Sequence, residues 1–203
     1  AQIGRKGLRV ASISAYRRRD RFDQQQDVIA TTLPVAEAHW SKWKVAKELT
    51  PPRGYAFAAV VIDPATTANV YAVHLKSNYG ATTPELRASN REKRTLAIAQ
   101  LVNQEKRKRG RPARPVLIAG DMNADGWRKE FAEEKLFGLL ADAGFENPLA
   151  LLPPKSRGTH PSRSYGDSAL DYIFCRGVSA VAAPKIIPND ELSDHYAVFV
   201  LVK

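Results

Sequence analysis

The feature that most constrains this chain is an apolar run, Val116-Leu117-Ile118-Ala119, that stops at Gly120 and opens into Asp121-Met122-Asn123-Ala124-Asp125. Four apolar residues fenced by Pro115 and Gly120 read as a buried strand. Side chains alternate along a strand, so Asp121 and Asn123 leave its end on the same side. There a carboxylate can orient or activate a water, and an amide can hydrogen-bond a phosphate oxygen. The same residues serve equally well as an Asx-rich turn that merely ends a strand. Three further polar clusters decide between these readings.

Apolar residues make up 44% of the 203, enough for a core, and the length suits one domain. No apolar stretch approaches the roughly 18 residues of a membrane span, and the 203 residues contain no signal-peptide h-region. Cys175 is the only cysteine, which excludes an intramolecular disulfide and a cysteine-rich zinc site. The 31 basic and 21 acidic residues leave a net charge of +10. That balance favours a polyanionic partner, nucleic acid or an anionic lipid surface.

Residues 7–14 and 28–33 read as strands. Between them Arg17-Arg18-Arg19-Asp20-Arg21 suits phosphate contacts or a plain solvated loop. Residues 36–49 fit a helix or irregular packing, with Trp40 and Trp43 three apart, and Pro51 and Pro52 mark a break. Residues 55–62 and 69–75 pair as a hairpin across Asp63-Pro64, and the second run ends at His74-Leu75-Lys76-Ser77-Asn78. Thr83 caps a helix with Pro84 at its first position. That helix carries Leu86, Leu96, Leu101 and Val102. Its basic end, Lys106-Arg107-Lys108-Arg109 with Arg111 and Arg114 beyond, complements a helix C-terminus. Leu136, Leu139, Leu140 and Ala143 recur at helical spacing until Gly144. The Pro/Ser/Gly-rich loop 148–164 is longer than a connector needs to be. Strands are expected at 170–176, 178–187 and 196–202, the last opened by Leu192-Ser193-Asp194-His195.

Two of these strands end at polar clusters, His74 and Asp121, and two begin at them, Asp171 and His195. If incoming and outgoing strands run antiparallel, all four clusters share one sheet edge. That edge carries two histidines, the carboxylates Asp121, Asp171 and Asp194, and the amide of Asn123. A histidine with an aspartate partner makes a general base or an electrostatic clamp. Hard oxygen ligands without cysteine favour Mg²⁺ or Mn²⁺ over zinc. Such a cation beside histidine and asparagine points to phosphoryl or phosphodiester chemistry. The chain has no Gly-x-Ser-x-Gly elbow, P-loop or Gly-x-Gly-x-x-Gly motif, so acyl transfer, NTP hydrolysis and dinucleotide binding lack support.

Four motifs carry a resemblance: Val73-His74-Leu75-Lys76-Ser77, Gly120-Asp121-Met122-Asn123-Ala124-Asp125, Leu170-Asp171-Tyr172-Ile173-Phe174 and Ser193-Asp194-His195-Tyr196-Ala197-Val198. In this order they resemble the endonuclease/exonuclease/phosphatase superfamily, the fold of deoxyribonuclease I. The resemblance implies a four-layer α/β sandwich, two mixed β-sheets face to face with helices outside. It implies a metal-dependent phosphodiesterase, most simply a nuclease on DNA or RNA, using Mg²⁺ or Mn²⁺. By position, Asp121 orients or activates the attacking water and Asn123 holds the scissile phosphate. Asp194 is a metal ligand. His195, oriented by Asp171, binds or polarises the phosphate or acts as base. His74 contacts the phosphate or assists the leaving group, and Lys76 joins Asn123 and His195 in binding substrate.

The superfamily also begins with a strand carrying a metal-binding Asn, followed by a strand ending in Gln-Glu whose Glu binds the metal. Neither occurs here. Residues 7–14 resemble a later strand of the fold, which places the missing piece before Ala1, within the same domain or on a separate chain. Aligning residues 10–14 and 27–33 with the first two strands instead leaves Ser where Asn is expected, and Thr or Leu where Glu is expected. Two other activities stay open at this level: hydrolysis of lipid or inositol head-group phosphoesters, and nucleic-acid binding by a member that has lost catalysis.

Overall fold

The computed structural model describes residues 7–18, 21–22, 26–44, 53–108, 113–162, 166–188 and 192–203. Of the features above, Arg19, Asp20, Leu49, Pro51, Pro52, Arg109, Arg111 and Ser164 lie outside the described residues. In chain order the strands and helices are β1 (Arg9–Ile13), β2 (Arg17–Arg18), β3 (Arg21–Phe22), β4 (Val28–Thr31), β5 (Val35–Lys42), β6 (Gly54–Val61) and β7 (Thr67–His74). There follow α1 (Pro84–Arg107), β8 (Val116–Asp121), α2 (Leu136–Asp142), β9 (Asp171–Arg176), β10 (Lys185–Ile187) and β11 (Ala197–Phe199).

Five strands form the sheet that positions the rest, in the order β5-β6-β7-β8-β9. β7 and β8 run parallel, joined through α1, and every other neighbour is antiparallel. The β6 sequence, Gly-Tyr-Ala-Phe-Ala-Ala-Val-Val, shows why this sheet has two different faces. Tyr55 and Phe57 join Tyr71, Val73, Ile118, Tyr172 and Phe174 in a cluster of large side chains, against Ile98 and Leu101 of α1 and Leu136 and Leu140 of α2. The alternate residues, Ala56, Ala58 and Val60, pack with Val70 and Ala72 against Ile29 of β4 and Ala11 of β1. Methyl-sized side chains on that face let the β1–β4 ladder lie close. The result is the expected α/β sandwich. Only the five-stranded sheet is mixed; the other described strands pair as antiparallel ladders β1–β4, β2–β3 and β10–β11.

The Thr83 hydroxyl accepts a hydrogen bond from the Leu86 N–H at 3.3 Å, with Pro84 in the first turn, as its sequence requires. The buried stripe of α1 differs from the expected one. Leu86 is exposed, while Asn90, Arg94 and Glu105 are buried beside Ala97, Ile98, Leu101 and Val102. Arg94 pairs with Glu134 and donates to the Lys76 carbonyl at 2.6 Å. Asn90 donates to the Ser77 carbonyl at 3.0 Å, so α1 fixes the loop that follows β7. At the basic end, Lys108 reaches back to Glu105 at 2.9 Å and lies over the Phe57 ring. No helix among the described residues is long and apolar enough to cross a membrane.

Two other stretches depart from expectation. Most of 36–44 is strand: Val35–Lys42 is the sheet's edge, with Trp40 opposite Ala56. The tryptophans take opposite faces, as an odd spacing along extended chain demands. Trp40 meets Tyr16 edge-on at 5.7 Å, and Trp43 packs on Tyr55 at 5.4 Å. Of 178–187 only Lys185–Ile187 forms a strand.

Gly120 makes the parallel pairing possible. It lies opposite Val73 with φ +135°, and an added Cβ would fall 1.9 Å from the Val73 carbonyl oxygen. Gly120→Ala is expected to destabilise the fold by roughly 2–5 kcal/mol, from overpacking together with positive-φ strain. Urea denaturation checks this, and near-normal stability would show that the glycine is not required.

Candidate active site

β7 and β8 end together and β9 begins beside them, with His74 opposite Asp121 and Asp121 opposite Asp171. Residues paired in register share a face, so all three side chains project on the Ala72 side of the sheet. The antiparallel condition assumed for the sequence is met by β8 and β9.

Asp171 is the best-tied member. Its Oδ2 lies 2.7 Å from His195 Nδ1 and accepts the Thr159 hydroxyl at 2.8 Å. Thr159 is fully buried and its hydroxyl oxygen accepts the N–H groups of Leu170 and Asp171, each at 3.0 Å. Its carbonyl accepts the Tyr196 N–H at 2.6 Å. One threonine thus clips the 148–162 loop, the start of β9 and the segment carrying His195. The hydrogen bond to Asp171, with that carboxylate's charge, raises the His195 pKa against the opposing effect of burial.

Asp121 is held differently. Its Oδ1 accepts the Asn123 N–H at 2.6 Å and its Oδ2 accepts Asn123 Nδ2 at 2.8 Å. The same Nδ2 donates to the Leu75 carbonyl at 3.1 Å, so both amide hydrogens of Asn123 are used. Asn123 adopts φ +51°, a left-handed conformation that asparagine tolerates. Met122 and Ala124 turn the other way into the core. Asp125, buried, accepts from the N–H groups of Trp127 and Ala169 at 3.0 and 2.9 Å, tying this turn to the one before β9.

Burial, then the neighbouring Asp171 charge, pushes the Asp121 pKa up to about 7. His74 Nε2 lies 3.3 Å from Asp121 Oδ2. Burial, then the charges of Arg53 and His195, lowers the His74 pKa to about 4. The His74–Asp121 contact at neutral pH therefore involves a neutral imidazole, not an ion pair. The two histidines beside these aspartates are shifted in opposite directions, His74 downward and His195 upward.

His74, Asp121, Asn123, Asp171 and His195 are thus brought together. Asp194 joins them through a further residue: one ring nitrogen each of His160 and His195 and one Asp194 oxygen lie within 4.8 Å of one another. Lys76 lies two residues past His74 and is not brought into contact with the site's carboxylates. Burial, then the charges of Arg53, Lys93 and Arg94, lowers its pKa. Thr159, His160 and Arg53 are not among the residues expected from sequence. Arg53 is buried and donates from Nη1 to the His74 carbonyl at 3.3 Å. Thr159 and His160 lie in the long loop whose length alone had marked it.

The donor set fits a divalent cation. Asp121 and Asp171 stand side by side, the pKa of the first raised by burial and then by the other's charge, and Asp194 adds an exposed third carboxylate of the hard oxygen type such cations take.

Thr159→Val is expected to lower stability by about 1–3 kcal/mol, because the Leu170 and Asp171 N–H groups lose their acceptor. It should also loosen His195, with Thr159→Ser restoring both properties. Urea denaturation and the His195 imidazole NMR signals check this, and an unchanged variant would remove the clip.

A sequence profile of the Endonuclease/Exonuclease/phosphatase family matches residues 15–195. No individual curated protein matches the sequence. Among solved structures, an endonuclease/exonuclease/phosphatase family protein from Leptotrichia buccalis C-1013-b aligns with a TM-score of 0.67 at 14% identity, covering 97% of this chain and 72% of that one. The 3′ phosphatase NExo from Neisseria, bound to a product DNA hairpin, gives 0.67 at 14% identity, covering 98% and 80%. Sphingomyelinase C from Streptomyces griseocarneus gives 0.60 at 17% identity, covering 95% and 77%. At these identities the likeness shows a shared fold.

Proposed function

Because the chain belongs to the endonuclease/exonuclease/phosphatase family, whose chemistry is phosphoester hydrolysis, we propose that it is a divalent-metal-dependent nuclease acting on phosphodiester bonds of DNA or RNA. The observation that carries this is the in-register row of His74, Asp121 and Asp171, joined to Asn123 on one side and His195 on the other.

In this reading Asp121, with a pKa near neutrality, takes the proton of the attacking water. Asn123 keeps Asp121 aimed, and exchanging its bond to that carboxylate for a phosphoryl oxygen lets the same amide hold substrate. His195, fixed through Nδ1 by Asp171, presents its other ring nitrogen to a phosphoryl oxygen. His74 stands by the leaving group, and the Lys76 ammonium adds positive charge beside the scissile phosphate. Asp194, with Asp121 and Asn123, would hold the divalent cation, which would supply charge neutralisation at the phosphate and leaving oxygen.

Nucleic acid is favoured by the net charge of +10 and by a partly exposed aromatic in the turn after Asp125. Trp127, two residues past Asp125, stacks on Tyr172 with ring centroids 5.7 Å apart and carries the Arg157 guanidinium at 4.4 Å. A planar aromatic with a cation on its face suits an unpaired base. The DNA-bound Neisseria phosphatase shares the fold. One observation favours a lipid phosphodiester instead: Tyr79 and Leu192, 95% and 87% exposed, lie in the loops that carry Lys76 and Asp194.

The test is cleavage of plasmid DNA, RNA and sphingomyelin vesicles with Mg²⁺ or Mn²⁺, using this chain alone and with any sequence encoded upstream of it. EDTA-sensitive cleavage of nucleic acid is expected. Asp121→Asn and His195→Ala should each lower it by about 10²–10⁴-fold without loss of fold. Phosphocholine release with nucleic acid left intact would select the lipid reading. Salt-sensitive DNA binding with no turnover would overturn catalysis.

A further inference from the structure

We propose that His160, Asp194 and His195 form a site for a borderline divalent metal such as Zn²⁺, with Asp171 as the outer partner that orients His195. The site goes beyond the nuclease reading, which needs oxygen donors only. It shares Asp194 and His195 with that reading and uses the His195 nitrogen that the nuclease reading gives to a phosphoryl oxygen, so the two contacts exclude each other; it is tested without substrate, so either can fail alone.

Three observations carry it. First, one ring nitrogen from each histidine and one Asp194 oxygen lie within 4.8 Å of one another, so small side-chain movements bring all three onto one ion. Two imidazoles and a carboxylate suit Zn²⁺ or Co²⁺ better than Mg²⁺, which prefers oxygen and retains its waters. Second, His195 Nδ1 is engaged by Asp171 at 2.7 Å, which leaves Nε2 as the metal-facing nitrogen. A metal-bound histidine ordinarily gives its other N–H to a carboxylate in this way, which fixes the tautomer and raises ligand basicity. Third, both histidines sit on anchored backbone. The His160 N–H and carbonyl pair with Ser168 at 2.9 and 3.0 Å. The His195 N–H donates to the Ser193 hydroxyl at 3.0 Å. Asp194 lies between Ser193 and His195 and is exposed, leaving the open side for water or an anion.

The two rings also touch, with centroids 4.6 Å apart and planes inclined by 60°. Plain ring packing would give the same contact without any ion, and the experiment separates the two.

The chain has four histidines, His39, His74, His160 and His195, so each imidazole can be followed by long-range ¹H–¹⁵N NMR. On adding Zn²⁺ to the metal-free chain, the His160 and His195 signals should shift together and saturate at one equivalent, with His39 unmoved. In Co²⁺ titrations followed by calorimetry, His160→Leu should weaken binding at least ~10-fold and Asp171→Asn ~10–100-fold, with His39→Ala unchanged. Wild-type affinity in His160→Leu would overturn the site. So would Zn²⁺-induced shifts that leave His160 in place.

Discussion

The register that sets His74 opposite Asp121, and Asp121 opposite Asp171, is the constraint on which the rest of the structure depends. A slip of one residue in β8 would send Asp121 to the helix face and bring Gly120 to the site. Several features prevent this. Gly120 admits the close approach of the Val73 carbonyl, which no side chain permits. Beyond the strand ends, the Leu75 N–H bonds to the Asp121 carbonyl at 2.9 Å and the Met122 N–H to the Leu170 carbonyl at 2.8 Å. The ladder therefore continues past the functional residues on both sides. Met122 and Ala124 are buried, so the turn is nailed into the core by alternate residues while Asp121 and Asn123 face outward.

That register sets two carboxylates side by side in a partly buried place, and the chain resolves the conflict unequally. Asp171 receives a threonine hydroxyl and a histidine whose pKa is raised. Asp121 receives an amide and a backbone N–H, and its pKa still rises to about 7. Its other neighbour, His74, is lowered to about 4 and adds no charge there at neutral pH. Environments of this kind push neighbouring titratable groups apart, His74 downward and His195 and Asp121 upward. The division follows from what flanks each strand: Asn123 two positions after Asp121 at the end of β8, and Thr159 in the loop that leads into β9.

The parts of this site legible in the sequence are those fixed by strand alternation and strand ends. His74, Asp121, Asn123, Asp171 and His195 each sit where an apolar run stops or starts, and the hairpin, the Thr83 cap and both helices follow local rules. Thr159 was not legible because its role is made of long-range contacts, and Thr in a polar loop has no periodicity to betray it. His160 carries the same difficulty: its neighbours in space, Asp194 and His195, lie more than 30 positions along the chain. Arg53 follows a proline pair that reads only as a break. The Trp40–Trp43 spacing misled because three apart suits a helical face, whereas in extended chain it places the rings on opposite sides of an edge strand. Leu86 misled because the inner stripe of α1 is partly polar.

That polar stripe has a cost that stability alone does not explain. Arg94 and Glu134 are both almost completely removed from water. Desolvating such a pair consumes most of its attraction, and apolar residues of similar volume commonly serve a core as well or better. What an apolar pair cannot do is donate to the Lys76 carbonyl and the Asn78 side chain, as Arg94 does at 2.6 and 3.3 Å. Those bonds, with the one from Asn90 to the Ser77 carbonyl, hold the segment directly after His74. The Asn123 amide holds the same segment from the other side, through the Leu75 carbonyl. Arg94 and Asn90 of α1 are therefore better understood as the support of the segment after His74 than as part of the core that α1 completes.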